Sequence, residues 1–212
     1  MIINFINLKE QSFVDAQKFI LELCIQKIKL TNKDINFILN LEEKELVNIF
    51  FNEYCLFDNN NFLLIEKYTN NNLDINDKDF VSDLIYFARD FGLDLNYKKI
   101  ISFLIIEIED NNCFVLACLE YLSLNIKFLY IEQIIKNLKY IRNNVIYNQN
   151  EQVLASLILF RITQNSNYLL FVKELIEYDN TNLKYLNNSL KEEMYDEKYF
   201  NLSELKKYLG LL

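Results

Sequence analysis

The strongest constraint on the fold of this chain is an internal repeat that has the length of one helical hairpin. Residues 115–119 (VLACL) return as residues 153–157 (VLASL), an offset of 38 residues. Two helices and the spacing between them recur together, which is typical of stacked helical arrays. The second helix of the unit repeats at the same offset, with Tyr130, Ile131, Ile134 and Leu138 falling on Tyr168, Leu169, Val172 and Ile176.

A further copy of the pattern lies upstream, at an offset of 34 residues from the middle copy. Three units in tandem therefore cover residues 76–178. A unit of this kind cannot bury its apolar face alone, so each one packs against its neighbours. The corresponding positions are Val81, Leu84 and Ile85 with Val115, Cys118 and Leu119, and Ile100, Ile101 and Leu104 with Ile134, Ile135 and Leu138.

Composition favours helices over strands. The chain of 212 residues has no proline and two glycines, so it lacks the residues that tight β-hairpin turns require. Hydrophobic residues make up 51% of it, which is enough for a sizeable core. We therefore predict an all-α fold, a right-handed stack of antiparallel helical hairpins with about ten to twelve helices.

Several helix ends are marked by local residues. Apolar residues spaced by three and four from Phe13 predict a first helix that ends near Leu30. Thr31 followed by Asp34 can cap the next helix, and Gly92 can take the left-handed conformation that ends a later one. Further helices are predicted over residues 42–57, 62–68, 76–91, 96–109, 112–123, 126–142, 150–162, 166–178, 182–194 and 201–209.

No segment is long and polar enough to separate domains. We therefore predict that residues 1–212 form a single α-helical domain. Within it, residues 1–75 supply irregular N-terminal helices, residues 76–178 the three hairpin repeats, and residues 179–212 a C-terminal cap.

The period and apolar spacing of residues 76–178 resemble HEAT-like and armadillo-like α-solenoids. The resemblance implies stacked hairpins that present an extended concave surface for binding proteins. The chain departs from the family pattern in having no proline, and Arg142 and Arg161 do not occupy equivalent places in their units.

Most hydrolase schemes are excluded because the chain contains no histidine, the commonest general base and the usual zinc ligand, although carboxylate pairs remain possible. Glu107 and Glu109 lie two residues apart, on different sides of a helix. Cys113 and Cys118 have no C-x-x-C partner that would complete a tetrahedral zinc site. We expect no enzyme activity, no cofactor and no metal site.

The surroundings of the cysteines indicate the cellular compartment. All four, Cys24, Cys55, Cys113 and Cys118, sit among apolar neighbours and are interpreted as reduced core thiols of a cytoplasmic protein. The first residues do not match a secretory signal. No uncharged run approaches the ~20 apolar residues that a membrane-spanning helix needs, so we expect a soluble chain.

Charge favours a basic protein as the partner. The net charge is −8 and no strong basic run occurs, which argues against nucleic acid. The densest acidic group can be a set of helix N-terminal charges with a solvated face, or a docking surface for a basic protein. Its six members are Asp74, Asp77, Asp79, Asp83, Asp90 and Asp94.

A second candidate surface is the tyrosine-rich C-terminal stretch, which includes Tyr185, Tyr195 and Tyr199. Aromatic rings anchor protein interfaces. The codon bias of an A/T-rich genome and the need to cap the last repeat explain these residues about as well.

A helical stack without an acid–base pair or a nucleotide loop is best interpreted as a protein-binding module. By size, charge and architecture the chain resembles the helical immunity proteins of bacterial competition systems, which implies a basic toxin as the partner. One alternative is a homo-oligomeric scaffold joined through its tyrosine-rich end. The other is a DNA glycosylase of HEAT type, which would need a basic, aromatic groove.

Overall fold

The computed structural model describes residues 12–54, 62–74, 76–105, 112–144, 146–147 and 149–178. Every regular element in these ranges is helical and none is a strand, which confirms the all-α prediction. The helices predicted over residues 182–194 and 201–209 lie outside the described residues. The helices are α1 (Phe13–Ile25), α2 (Asn32–Leu39), α3 (Lys44–Tyr54), α4 (Phe62–Asn71), α5 (Lys78–Phe91), α6 (Tyr97–Phe103), α7 (Asn112–Leu124), α8 (Ile131–Asn143, preceded by the 3₁₀ turn Phe128–Tyr130), α9 (Gln149–Thr163) and α10 (Asn167–Tyr178).

The chain divides into two compact units, Met1–Tyr97 and Lys98–Leu212. The single domain predicted for residues 1–212 stays a prediction. In the described part of both units, no helix combines the length and the apolar character needed to cross a bilayer.

Helix α3 lies at the centre of the first unit. It contacts α1, α2 and α5, while α4 contacts α2 and α5. Its aromatic side chains are fully buried: the ring of Phe50 stacks on Tyr54 at 4.8 Å, and the ring of Phe51 stacks on Phe87 of α5 at 4.6 Å. Stacked aromatic pairs of this kind contribute beyond the area they bury, so α3 forms the core of this unit.

Helix α9 has the corresponding place in the second unit, where it contacts α7, α8 and α10. Because neighbours cover it on several sides, its apolar residues extend around the helix rather than along one stripe. The residues from 153 to 159 are all buried, namely Val153, Leu154, Ala155, Ser156, Leu157, Ile158 and Leu159.

Most of the positions that repeat along the sequence are core positions. Those that are partly exposed are Leu116, Tyr130, Ile131, Ile135 and Tyr168, and the side chain of Ile176 is not among those described. Burial at matched places in three copies is what the repeat pattern predicts. The buried members are Val81, Leu84, Ile85, Ile100, Ile101, Leu104, Val115, Cys118, Leu119, Ile134, Leu138, Val153, Ser156, Leu157, Leu169 and Val172.

Two polar side chains of the second unit, those of Asn137 and Arg161, donate to backbone carbonyls of helices that come earlier in the chain. The buried amide of Asn137 on α8 donates to the carbonyl oxygen of Ile101 on α6 at 2.9 Å. The guanidinium of Arg161 on α9 donates to the carbonyl oxygen of Ser123 on α7 at 2.5 Å. The last carbonyls of a helix have no partner within it, so these bonds satisfy groups that the helices leave open.

Local capping signals are confirmed at two places. The Thr31 hydroxyl accepts from the backbone N–H of Asp34, and the Asp34 carboxylate accepts from the N–H of Thr31 at 2.9 Å, a complete capping box. Gly92 has φ +66° and ends α5, as its conformational freedom predicts.

The first helix ends earlier than predicted, at Ile25 rather than near Leu30. Lys27 takes a left-handed φ of +50°, and the N–H of Ile28 donates to the carbonyl of Leu23 at 3.0 Å, the pattern of a Schellman turn. The N–H of Leu30 donates to the Tyr54 hydroxyl at 3.0 Å. A side chain of α3 therefore binds this segment outside the helix.

Substitutions at two of the left-handed residues, Lys27 and Gly92, have opposite expected effects on stability. Lys27→Gly should raise the free energy of unfolding by about 0.5–1 kcal/mol, because a residue with a Cβ is strained at positive φ. Gly92→Ala should lower it by about 1 kcal/mol for the same reason, although a Cβ at Gly92 would meet no atom within 4 Å. Urea titration followed by circular dichroism measures both. A destabilised Lys27→Gly variant would contradict the argument.

A buried hydroxyl gives a second stability prediction. The side chain of Thr69 on α4 is fully buried, and its Oγ1 has no hydrogen-bond partner among the described residues. Thr69→Val keeps the shape and removes the hydroxyl, so we expect about 1 kcal/mol of added stability. Thr69→Ser is the matched control, because it keeps the hydroxyl and loses a methyl group. Thermal unfolding should rank Val above Thr and Thr above Ser.

Candidate functional site

The candidate site is the solvent-facing side of α5. Asp77 begins the helix by accepting from the N–H of Phe80 at 3.4 Å. The side that carries Leu84 is buried, so residues on the opposite side are left for solvent. With 3.6 residues per turn, positions i, i+4, i+7 and i+11 share one line. We call this the α5 outer line, formed by Asp79, Asp83, Tyr86 and Asp90.

The structure separates the six sequence-predicted acidic residues into two groups. Asp79, Asp83 and Asp90 are exposed members of the α5 outer line. The others flank the helix and serve local structure. Asp74 precedes α5 and its carboxylate accepts from the N–H of Asn76 at 3.2 Å. Asp94 follows α5.

Asp94 is held through its backbone by two side chains of α4. Its N–H donates to the Glu66 carboxylate at 2.8 Å, and its carbonyl accepts from the Asn70 amide at 2.9 Å. These bonds fix the segment that follows Gly92. The carboxylate of Asp94 itself is exposed, at the C-terminal end of α5.

Asp77 has an ion-pair partner on α3 that the sequence does not reveal. The Lys44 ammonium, on α3, pairs with its carboxylate and lies 4.8 Å from the centroid of the Phe80 ring. The hydrogen bond from Lys44 lowers the pKa of Asp77. Asp77 is therefore a helix cap with an ion pair to α3, and it lies outside the α5 outer line.

Asp83 also meets α3. The Asn48 amide donates to its carboxylate at 2.7 Å. Although the residue as a whole is exposed, its carboxylate is partly buried. This burial raises the pKa of Asp83, and the negative charge of Asp79 raises it further. The two acids are one helical turn apart, so a cation placed over them would relieve their repulsion.

At the C-terminal end of the α5 outer line, Arg89 contacts both the carboxylate of Asp90 and the ring of Tyr86. The Arg89 guanidinium pairs with the Asp90 carboxylate at 2.7 Å and lies 4.9 Å from the centroid of the Tyr86 ring. Tyr86 was not among the predicted site residues. Its position seven residues after Asp79 and four before Asp90 would have placed it on the same line.

Tyr185, Tyr195 and Tyr199 lie outside the described residues. Within the described ranges, no group of three or more Cys, Asp and Glu side chains is placed to hold a metal ion. Cys24 and Cys118 are free, buried thiols. Burial raises the pKa of Cys24 to about 11 and also raises that of Cys118, so both are protonated and unreactive at neutral pH.

The negative charge of the chain is concentrated in the unit that contains α5. Residues 1–97 include 16 acidic and 9 basic residues, whereas residues 98–212 include 14 and 13. The α5 outer line therefore lies on the acidic unit, where the field of neighbouring charges adds to its own.

The α5 outer line has to be interpreted from its own residues, because comparison with known proteins gives no match. No protein-family model, no curated protein and no solved structure matches this chain.

Proposed function

We propose that this chain is a non-catalytic, cytoplasmic protein-binding module that acts as an immunity protein, binding and neutralising a basic toxin. The observation that carries the proposal is the α5 outer line, with three exposed aspartates and Tyr86 along one side of a helix. Spaced carboxylates steer a cationic partner and fix its register. A tyrosine between them offers the aromatic anchor that interfaces favour.

We further propose a right-handed, HEAT-like stack, and the contacts within each unit support its layered arrangement. In such a stack the first helices of successive hairpins form one layer and the second helices another. In the first unit α3 contacts both α1 and α5, while α2 contacts α4; in the second unit α7 contacts α9. Contacts between every second helix are the pattern that two such layers produce.

The acidic charge of the first unit favours a positively charged partner, such as a basic toxin, over a neutral one. An inhibitor has to find its target quickly, and attraction between opposite charges raises association rates by orders of magnitude. The acidic unit supplies one side of that attraction. Enzymes that act on nucleic acid carry the complementary positive charge, so we propose a cationic toxin domain as the partner.

The experiment is a capture from lysate of the native cell. The full chain is immobilised beside its Asp83→Lys/Asp90→Lys variant, and both are washed at low and at high salt. We expect a basic protein that binds the native chain, elutes with salt and is missing from the variant. Expression of that protein alone should stop cell growth, and co-expression of this chain should restore it.

Two results would count against the proposal. If native and variant chains capture the same proteins, the α5 outer line is solvated surface. If the captured protein is harmless when expressed alone, binding stands and the immunity function does not.

A further inference from the structure

Helix α1 carries apolar residues on two sides. One side, with Ile20 and Leu23, is buried, and the helix contacts α3. Val14, Leu21 and Ile25 lie at positions i, i+7 and i+11, so they share one line on another side of the helix. We call this line the α1 outer face.

The α1 outer face is open to solvent. Val14 and Ile25 are 54% and 78% exposed, and Leu21, which lies between them, is partly exposed. A single exposed apolar residue is ordinary, but apolar residues repeated along one line of a helix are typical of a side that packs against a partner. The spacing therefore indicates a contact with another helix.

Two opposite charges border one edge of this face. Lys18 follows Val14 by one turn, and Glu22 follows Lys18 by one turn. Both side chains are exposed, and neither forms an ion pair with another described residue. The other acid of α1, Asp15, accepts from the Ser12 hydroxyl at 2.6 Å at the start of the helix. A lysine four residues before a glutamate is the less favourable order for a pair within one helix, which favours a pair with a second molecule.

The α1 outer face is complementary to itself when two copies run in opposite directions. Val14 and Ile25 are equally far from one midpoint along the helix, and Lys18 and Leu21 are equally far from the same midpoint. A two-fold axis through that point sets each residue against the other member of its pair on the second copy. Val14 then packs on Ile25, and Lys18 lies beside Leu21 and Glu22 of the second copy. The same contacts form again on the other side of the axis.

We propose that the α1 outer face joins two copies of this chain in an antiparallel, two-fold homodimer. Contacts among Val14, Leu21 and Ile25 hold the two helices together. Ion pairs between Lys18 and Glu22 fix their direction. One side of a helix buries little area, and small interfaces form reversible complexes. The dimer uses another helix than the α5 outer line and goes beyond the proposed binding of a toxin.

The first test is sedimentation equilibrium of the full chain over a range of concentrations. We expect a reversible dimer with a Kd of about 10–100 µM. Val14→Glu/Ile25→Glu should raise the Kd at least about a hundredfold, because it places four carboxylates in the contact. The matched control is Leu63→Glu/Leu129→Glu, which makes the same kind of change at leucines that are 82% and 85% exposed. Circular dichroism checks that each variant is folded.

The second test reverses the charges and reports on the direction of the helices. Lys18→Glu alone should raise the Kd about tenfold, because two glutamates then face each other across the contact. Lys18→Glu/Glu22→Lys keeps the net charge and exchanges the two members of the pair. It should restore the native Kd to within about threefold, which only an arrangement that brings position 18 against position 22 of the second copy predicts.

Three results would overturn the proposal. These are a native chain that stays monomeric at every concentration, a Val14→Glu/Ile25→Glu variant that dimerises as well as the native chain, and a charge exchange that restores nothing. Asp83→Lys/Asp90→Lys should keep the dimer. Toxin association is measured at nanomolar concentrations, where a dimer of this Kd is dissociated, so the two proposals fail separately.

Discussion

Leu157→Ala is expected to lower the free energy of unfolding by about 3–5 kcal/mol. Leu157 is 1% exposed, and it lies on α9, which contacts α7, α8 and α10. Truncating a leucine at such a place removes apolar contacts and leaves a cavity between helices that cannot all close on it. Urea titration followed by circular dichroism measures the change, and the repeat predicts a similar loss for Leu119→Ala.

The control for this prediction is Leu170→Ala on α10. Leu170 is 55% exposed, so its truncation should change stability by less than about 0.5 kcal/mol. Equal effects at Leu157 and Leu170 would contradict the assignment of the repeated positions to the core.

Reversing two charges on the α5 outer line is expected to have the largest effect on binding. Asp83→Lys/Asp90→Lys should reduce the association rate of the captured basic partner about tenfold to a hundredfold at low salt. The two new lysines would repel a cation at the place where it first approaches. Stopped-flow or surface plasmon measurements over a range of salt concentrations would show the effect fading as screening increases.

A variant with the same net charge separates local from general electrostatics. Glu22→Lys/Glu53→Lys makes the same change on exposed residues of α1 and α3. It should slow association much less than the α5 variant does. If both variants slow association equally, net charge rather than the α5 outer line steers the partner.

The parts of the fold that the sequence predicts correctly depend on neighbours in the chain. The Thr31 and Asp34 cap closes over three residues, and Gly92 needs only its own backbone freedom. The core positions of the repeats follow from helical spacing, because burial on one side of a helix has a local period.

The predicted helix ends are wrong where the end of the helix is determined by a residue far away in the sequence. The apolar pattern continues past Ile25, but the hydroxyl of Tyr54 takes the N–H of Leu30, 24 residues away. Likewise, α6 ends at Phe103 rather than at residue 109, and the carbonyl of Leu104 bonds to a later tyrosine. Residues 106–111 lie outside the described ranges.

The candidate site was predictable as a group of acids and not as a surface. Spacing along α5 places three of the six aspartates on one line. It does not reveal that Lys44 pairs with Asp77, or that Asn48 bonds to Asp83, because α3 lies 33 and 35 residues earlier in the chain. Which carboxylates have a partner on α3 depends on that packing.

The bond from Asn137 to the carbonyl of Ile101 has a consequence for evolutionary tolerance. Its acceptor belongs to the main chain, so any residue with a helical backbone at position 101 can receive it. Leucine or valine can therefore replace isoleucine at position 101 without loss of the hydrogen bond. Position 137, in contrast, has to keep a side-chain amide. We expect substitutions among homologues to accumulate unevenly across this pair, with asparagine persisting opposite a variable aliphatic residue.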